Sequence, residues 1–65
     1  MRFIRFPGYG VNGSDVNINA EKIESFYAID YNGNHGTEIV TVDNRVYRTS
    51  LYVTDVRAEL ERGER

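Results

Sequence analysis

Arginine and tyrosine side chains are concentrated in the second half of the chain, with types and spacing suited to holding a planar anion. Arg45, Tyr47 and Arg48 lie close together, and Tyr52 follows them. Tyrosine offers a stacking face and arginine a charge-assisted contact, the combination used by nucleotide and single-stranded nucleic acid sites. Core filling and protection of a sheet edge explain the same residues. The predicted ligand-binding set comprises Arg5, Tyr9, Arg45, Tyr47, Arg48 and Tyr52.

The stretch from Gly8 to Gly13 matches the letters GxGxxG of phosphate-binding loops. A dinucleotide fold requires a helix directly after the third glycine and an acidic residue about 20 positions further on. Residues 15–19 instead alternate as a strand does, and 65 residues leave no room for the catalytic parts of a kinase. The sequence therefore predicts a hairpin loop over residues 7–14, with a backbone anion nest as the alternative.

Residues suited to catalysis or metal binding are scarce. His35 is the only histidine, it lies in a predicted turn, and the chain has no cysteine. A zinc site would need carboxylates or a second subunit, and one turn histidine does not make a nucleophile–base pair. Asp55 and Glu59 share a face of a predicted helix, where paired carboxylates are usually solvated. We therefore predict that the protein is not an enzyme and holds no metal and no cofactor.

The composition limits both the core and the range of partners. A domain of 65 residues buries only about 60% of its unfolded surface, and without cysteine no disulfide supplements the core. We therefore expect self-association to add stability. The net charge of −2 provides no overall attraction to nucleic acid or anionic lipid. No apolar run suits a membrane span or a signal peptide, so we expect a cytoplasmic protein that does not contact a membrane.

The first half of the chain has the pattern of strands separated by turns. Asn19 is suited to capping a single helical turn over residues 20–22. A helix remains an alternative for residues 20–30, but β-branched and aromatic residues favour a strand there. Glycine and asparagine at 32–36 predict the next turn. Strands are predicted over residues 2–6, 15–19 and 23–31.

The stretch from Thr37 to Leu60 organises the fold, because it predicts a hairpin followed by a helix. Alternating runs over 37–43 and 45–49 flank a tight turn at Asp43 and Asn44. In such a hairpin the carboxylate of Glu38 would face an arginine on the neighbouring strand. The register decides whether that arginine is Arg45 or Arg48.

A C-terminal helix is predicted over about 51–62. Ser50 is a suitable cap, and Val53, Val56 and Leu60 are spaced as the apolar stripe of a helix that lies on a sheet. Gly63 is a natural stop, and residues 63–65 are predicted to be a frayed tail.

The pattern over residues 17–62 resembles small flagellar proteins of the FlbD/SwrD type, which have a strand, a short Asn-Ala element, a hairpin and a C-terminal helix. That family is linked to flagellar motility without known catalysis, so the resemblance implies a non-catalytic role. The chain differs by its loop at 7–14, its longer turn at 31–36 and an asparagine where a glycine is usual. The residues that carry the resemblance are Asn19, Ala20, Ile23, Glu24, Thr37, Ile39, Asp43, Asn44, Tyr47, Ser50, Val53 and Val56.

The same hairpin and helix also resemble the C-terminal part of LytTR-type DNA-binding domains, in which strands and loops contact DNA. Those domains are longer, and the acidic balance of this chain argues against DNA binding. The pattern is also similar to that of small phage proteins. These resemblances imply a bacterial or phage origin.

Together these features predict an α+β protein with one domain over residues 1–62. Its architecture would be a small antiparallel sheet of four to five strands with one C-terminal helix packed on it, and we expect a homo-oligomer. The first functional hypothesis is a non-catalytic regulatory or interaction module that acts through self-assembly and a protein partner. The second is an oligomer that sequesters a nucleotide-like anion at subunit interfaces. A nucleic-acid-binding regulator is the third.

Overall fold

A computed structural model describes residues 2–11 and 13–62, which form five strands and one α-helix. The predicted α+β class, with four to five antiparallel strands and a C-terminal helix, is confirmed. No helix within the described residues is long and apolar enough to cross a membrane. The elements are β1 (Phe3–Phe6), β2 (Val16–Asn19), β3 (Ile23–Tyr31), β4 (Asn34–Thr41), β5 (Val46–Thr49) and α1 (Val53–Arg62).

The strands are arranged as two antiparallel sheets. β1 and β2 form a hairpin, and β3, β4 and β5 form a three-stranded sheet with β4 in the centre. A single bridge between Gly8 and Thr49 connects the end of the first hairpin to the outer edge of β5. This connection brings Gly8, in the predicted loop over residues 7–14 that we call the glycine-rich loop, against the three-stranded sheet.

The core lies between the two sheets and α1. Alternation along β1 and β2 directs Ile4, Phe6 and Ile18 inward. The central strand β4 supplies one residue and the helix another. The buried apolar cluster consists of Ile4, Phe6, Ile18, Ile39 and Val56.

Two fully buried threonines fasten loops to the three-stranded sheet. The hydroxyl of Thr49 donates to the carbonyl oxygen of Pro7 at 2.7 Å, and that of Thr37 donates to the carbonyl oxygen of Leu51 at 2.7 Å. Buried carbonyl groups need such partners, because an unpaired one loses its hydrogen bonds to water without replacement. The threonines thereby fix where the first hairpin and the approach to α1 meet the sheet.

The segment between β2 and β3 contains the predicted helical turn. Ala20–Lys22 is a 3-10 turn, and the side chain of Asn19 accepts a hydrogen bond from the Glu21 amide at 3.0 Å. Ile23–Tyr31 is a strand, which decides between the two alternatives for this segment. The predicted cap and strand are therefore confirmed.

The turn between β3 and β4 is shorter than predicted. Asn32 and Gly33 form it with positive φ values of 54° and 83°, the region that suits asparagine and glycine. Residues 34–36 already belong to β4, because the pairing of β3 continues to Tyr31 opposite Asn34. The turn at Asp43 and Asn44 is where the sequence places it, and Asn44 has a φ of 66°.

The helix α1 begins at Val53, two residues later than predicted. The carbonyl oxygen of Tyr52 accepts the amides of Asp55 and Val56, so Ser50 lies before the helix and does not cap it. At the other end, the guanidinium of Arg2 donates to backbone carbonyl groups in the last turn of the helix. The predicted stop and frayed tail at 63–65 lie outside the described residues.

Candidate functional site

The candidate site lies on the face of the three-stranded sheet that is turned away from the core. Phe26, Ile39 and Tyr47 are paired across the sheet and face inward, so the residues that alternate with them face outward. A polar and aromatic group occupies this outer face together with one residue from the glycine-rich loop. We call it the outer-face cluster, and it consists of Tyr9, Tyr27, Tyr31, Glu38 and Arg48.

A row of three polar side chains crosses the sheet. The register places Glu38 on β4 between Tyr27 on β3 and Arg48 on β5. The Tyr27 hydroxyl donates to one carboxylate oxygen of Glu38, and Arg48 Nε donates to the other at 3.1 Å. The pairing of Glu38 with Arg48 rather than with Arg45 settles the alternative that the sequence left open.

The row keeps its charges fixed near neutral pH. The hydrogen bond from Tyr27, together with the one from Arg48, lowers the pKa of Glu38. The same carboxylate raises the pKa of Tyr27 and that of Arg48. Glu38 is therefore an anion, Tyr27 a neutral phenol and Arg48 a cation. A group that does not titrate near neutral pH is poorly suited to proton transfer.

One end of the row continues into two tyrosine rings that are in contact. The guanidinium carbon of Arg48 lies 5.5 Å from the ring centre of Tyr31. The Tyr9 ring meets Tyr31 edge-on at a centroid distance of 6.3 Å, and its hydroxyl donates to the carbonyl oxygen of Asn34 at 2.6 Å. Gly36 makes this approach possible, because a Cβ there would lie 2.8 Å from the Tyr9 ring.

The outer-face cluster is partly covered and partly presented to solvent. Glu38 is only 8% exposed, whereas Tyr27 and Tyr31 are each 48% exposed. Ile29 also lies on this outward face and is only 9% exposed. The face therefore presents two half-exposed tyrosine rings beside the buried side chains of Glu38 and Ile29. Hydrogen bonds and ring contacts fix the positions of these rings.

The histidine lies in a strand and not in the predicted turn, because β4 begins at Asn34. His35 Nδ1 is 3.5 Å from a carboxylate oxygen of Asp30, and both side chains are more than half exposed. The ring centre of Tyr52 is 6.1 Å from that of His35. Across residues 2–11 and 13–62, no three His, Cys, Asp or Glu side chains come together as a metal site would require.

The six residues predicted to bind a ligand are not gathered at one place. Tyr9 and Arg48 belong to the outer-face cluster, and Tyr52 lies beside His35. Arg45 and Tyr47 line a cleft at the other end of β5. The sixth, Arg5, is engaged in the first hairpin.

Arg5 and the glycine-rich loop share one carboxylate. Arg5 donates from Nε and from a terminal nitrogen to Asp15 Oδ2 at 3.0 and 2.8 Å, and the Gly8 amide donates to Asp15 Oδ1 at 3.2 Å. The hydrogen bond from Arg5 is the main reason that the pKa of Asp15 is lowered. The amide of Gly8 is thus occupied by an internal anion, which favours the hairpin over the anion nest.

Tyr27, Tyr31 and Glu38 are cluster members that the sequence-based set omitted. Tyr27 and Tyr31 are four positions apart, so a strand over 23–31 already places them on one face. Glu38 had been considered only as a partner for an arginine. The sequence gives no sign that Tyr9, from a loop distant in sequence, approaches Tyr31 and completes the cluster.

No protein-family model, curated protein sequence or solved structure matches the chain. The resemblances to the flagellar FlbD/SwrD type, to LytTR domains and to small phage proteins therefore stay predictions. What the chain does has to be argued from its own surfaces.

Proposed function

We propose that the protein is a non-catalytic interaction module that pairs with a second copy through β3 and docks a protein partner on the outer-face cluster. The free edge of β3 carries this proposal. Outside the pairing with β4, the described residues form no backbone hydrogen bond to Ser25–Tyr31. An edge strand of this kind offers unpaired N–H and C=O groups to another strand.

The shape of β3 determines where a second copy pairs. The register shifts between Ile23 and Ser25, which disturbs the start of the edge. The regular part runs from Ser25 to Tyr31 and is long enough for an ordinary strand pair. Two copies joined there in antiparallel fashion would form one six-stranded sheet, and the twofold axis would place their outer faces side by side.

The outer-face cluster supports docking of a protein because its residue types and rigidity suit an interface. Tyrosine and arginine are enriched among the residues that contribute most to binding. Here Tyr27 and Arg48 are held by Glu38, and Tyr31 is held between Arg48 and Tyr9. Side chains that are already ordered lose little conformational freedom when a partner binds.

Self-association is tested by a lysine at the edge. Ala28 and Ala58 are both exposed, the first in β3 and the second in α1. We expect light scattering to measure twice the chain mass of 7.5 kDa for the wild type and for Ala58→Lys, and the monomer mass for Ala28→Lys. A charged lysine on the edge opposes strand pairing. A wild type that is monomeric at about 100 µM, or a dimeric Ala28→Lys, contradicts the pairing through β3.

Partner docking is tested by removing one ring of the cluster. Tyr31→Ala removes the contacts to Arg48 and Tyr9, whereas Tyr52→Ala removes a similarly exposed tyrosine outside the cluster. We expect quantitative mass spectrometry of pull-downs to find partners that Tyr31→Ala loses and Tyr52→Ala keeps. Equal capture by both variants would show that partners do not use the outer face.

A further inference from the structure

A cleft of about 220 Å³ opens between the first hairpin and the turn that joins β4 to β5. β1 and β2 contribute Phe3 and Asn17, the 3-10 turn contributes Lys22, and the far side is formed by Arg45 and Tyr47. None of the outer-face cluster lines it. The cleft is therefore a separate feature of the surface from the outer-face cluster.

Two aromatic rings line the cleft. Phe3 is 59% exposed because the alternation of β1 buries its neighbour Ile4 and directs Phe3 away from the core. Tyr47 is paired with Ile39 and is partly buried against the core. A phenyl ring that remains this exposed offers a face on which a planar ligand can stack.

The charges that line the cleft are mainly positive. Lys22 and Arg45 are exposed cations, and Asp43 is the lining residue with a carboxylate. The Thr41 hydroxyl donates to Asp43 at 2.5 Å and is the main cause of its lowered pKa. Arg45 Nε lies 3.4 Å from Asp43, which leaves other guanidinium donors and the Lys22 ammonium for an anion.

A second depression, of about 500 Å³, begins on the other side of Phe3 and is lined by Arg2, Arg5 and Arg62 together with Glu59. Arg2 is directed to backbone carbonyl groups, so no carboxylate neutralises it through those bonds. Five of the eight lysines and arginines thus surround Phe3 in a chain whose net charge is −2. Three of these cations are paired with carboxylates, Arg5 with Asp15, Arg45 with Asp43 and Arg62 with Glu59. Five cations against three carboxylates leave a local excess of positive charge that the overall charge conceals.

We propose that the cleft binds a nucleotide, with the base stacked on Phe3 and Tyr47 and the phosphate held by Lys22 and Arg45. The cleft, of about 220 Å³, would hold the base, and the ribose and phosphate would lie at its rim. The nucleotide is either free or one unit of a single strand, whose next phosphate lies among the arginines beyond Phe3. The site requires neither a second copy nor a protein partner, so it is independent of the proposed function.

The test is a titration of the ¹⁵N-labelled protein with adenosine, guanosine, cytidine and uridine 5′-monophosphates, followed by amide chemical shifts. We expect shifts concentrated at residues 17–22 and 43–47 for at least one nucleotide. Phe3→Leu keeps an apolar side chain but loses the stacking face, and we expect it to weaken binding about tenfold. Arg45→Gln should weaken it similarly, while Arg57→Gln, on the exposed side of α1, should leave it unchanged.

Three results would overturn the site. The first is the absence of amide shifts at about 10 mM nucleotide. The second is equal shifts with inorganic phosphate alone, and the third is binding that Phe3→Leu and Arg45→Gln leave unchanged. Titration with an eight-nucleotide single strand distinguishes a free nucleotide from a nucleotide within a nucleic acid as the ligand. Tighter binding of the strand, weakened by Arg62→Gln, assigns the site to nucleic acid, and equal binding of strand and monomer assigns it to a free nucleotide.

Discussion

The buried hydroxyl of Thr49 provides the sharpest test of how the glycine-rich loop is held. Thr49→Val keeps the shape of the side chain but removes the 2.7 Å hydrogen bond to the carbonyl oxygen of Pro7 and the longer one, of 3.4 Å, that the hydroxyl accepts from the Leu51 amide. Thr49 is 0% exposed and the bond is partly buried, so the carbonyl group would lose its partner where water has limited access. Such a loss costs about 1–3 kcal/mol of the free energy of unfolding.

That cost is large for a chain of this size, because a single small core rarely supplies more than about 3–5 kcal/mol. A loss of about 2 kcal/mol should lower the melting temperature by roughly 8–16 °C, since each kcal/mol shifts a domain of this length by about 4–8 °C. Urea unfolding followed by circular dichroism measures the change directly. We expect the slope of the free energy of unfolding against urea concentration to be the same as in the wild type, because the surface exposed on unfolding stays the same.

The matched control is Thr54→Val, which makes the same replacement at an exposed position of α1. It should change the free energy of unfolding by no more than about 0.5 kcal/mol. All variants need equal protein concentration, because self-association contributes to apparent stability. If Thr49→Val were no more destabilised than the control, the hydrogen bond to Pro7 would not be what fastens the loop to the sheet.

Three further outcomes concern the outer face. The pKa of Glu38 is lowered in the folded chain, so on acidification the unfolded chain takes up a proton at a higher pH than the folded chain does. The free energy of unfolding should therefore fall as the pH drops from about 5 to 3, and it should fall less steeply in Glu38→Gln. An equally steep decline in that variant would contradict the assignment. Tyr27→Phe should raise the pKa of Glu38 toward its ordinary value, as measured by a ¹³C NMR titration. An unchanged pKa would show that the hydrogen bond from Tyr27 is not the main cause of the lowered pKa. Gly36→Ala should destabilise the fold and displace the Tyr9 ring, because a Cβ there would meet both the carbonyl oxygen of Thr49 and the ring itself. Retained contacts of the Tyr9 ring would refute the close approach.

Much of the fold follows from local patterns in the sequence. Alternation identifies β1 and β2 as strands, and Asn19 and the Asp43–Asn44 turn act through bonds and angles within a few residues. These features were predicted because each depends only on neighbouring positions. The beginning of α1 was predicted less well, because Ser50 is a suitable cap by residue type while the backbone places Tyr52 there.

The candidate site depends on contacts between distant positions. Tyr9 reaches Asn34, and Thr49 reaches Pro7, across separations of 25 and 42 residues. The division of the predicted ligand residues between the outer face and the cleft also follows from the register of β5 and from how the two hairpins pack.

The sequence by itself determined the class of the fold, the faces of its strands and the scarcity of residues suited to catalysis, because periodicity and composition are local properties. Only the tertiary structure decided which arginine Glu38 binds, which tyrosines share a surface and that Phe3 lies between two basic depressions. Those outcomes depend on the register of the strands and on the docking of loops. Both are set by the free energy of the whole packed chain and not by any short segment of it.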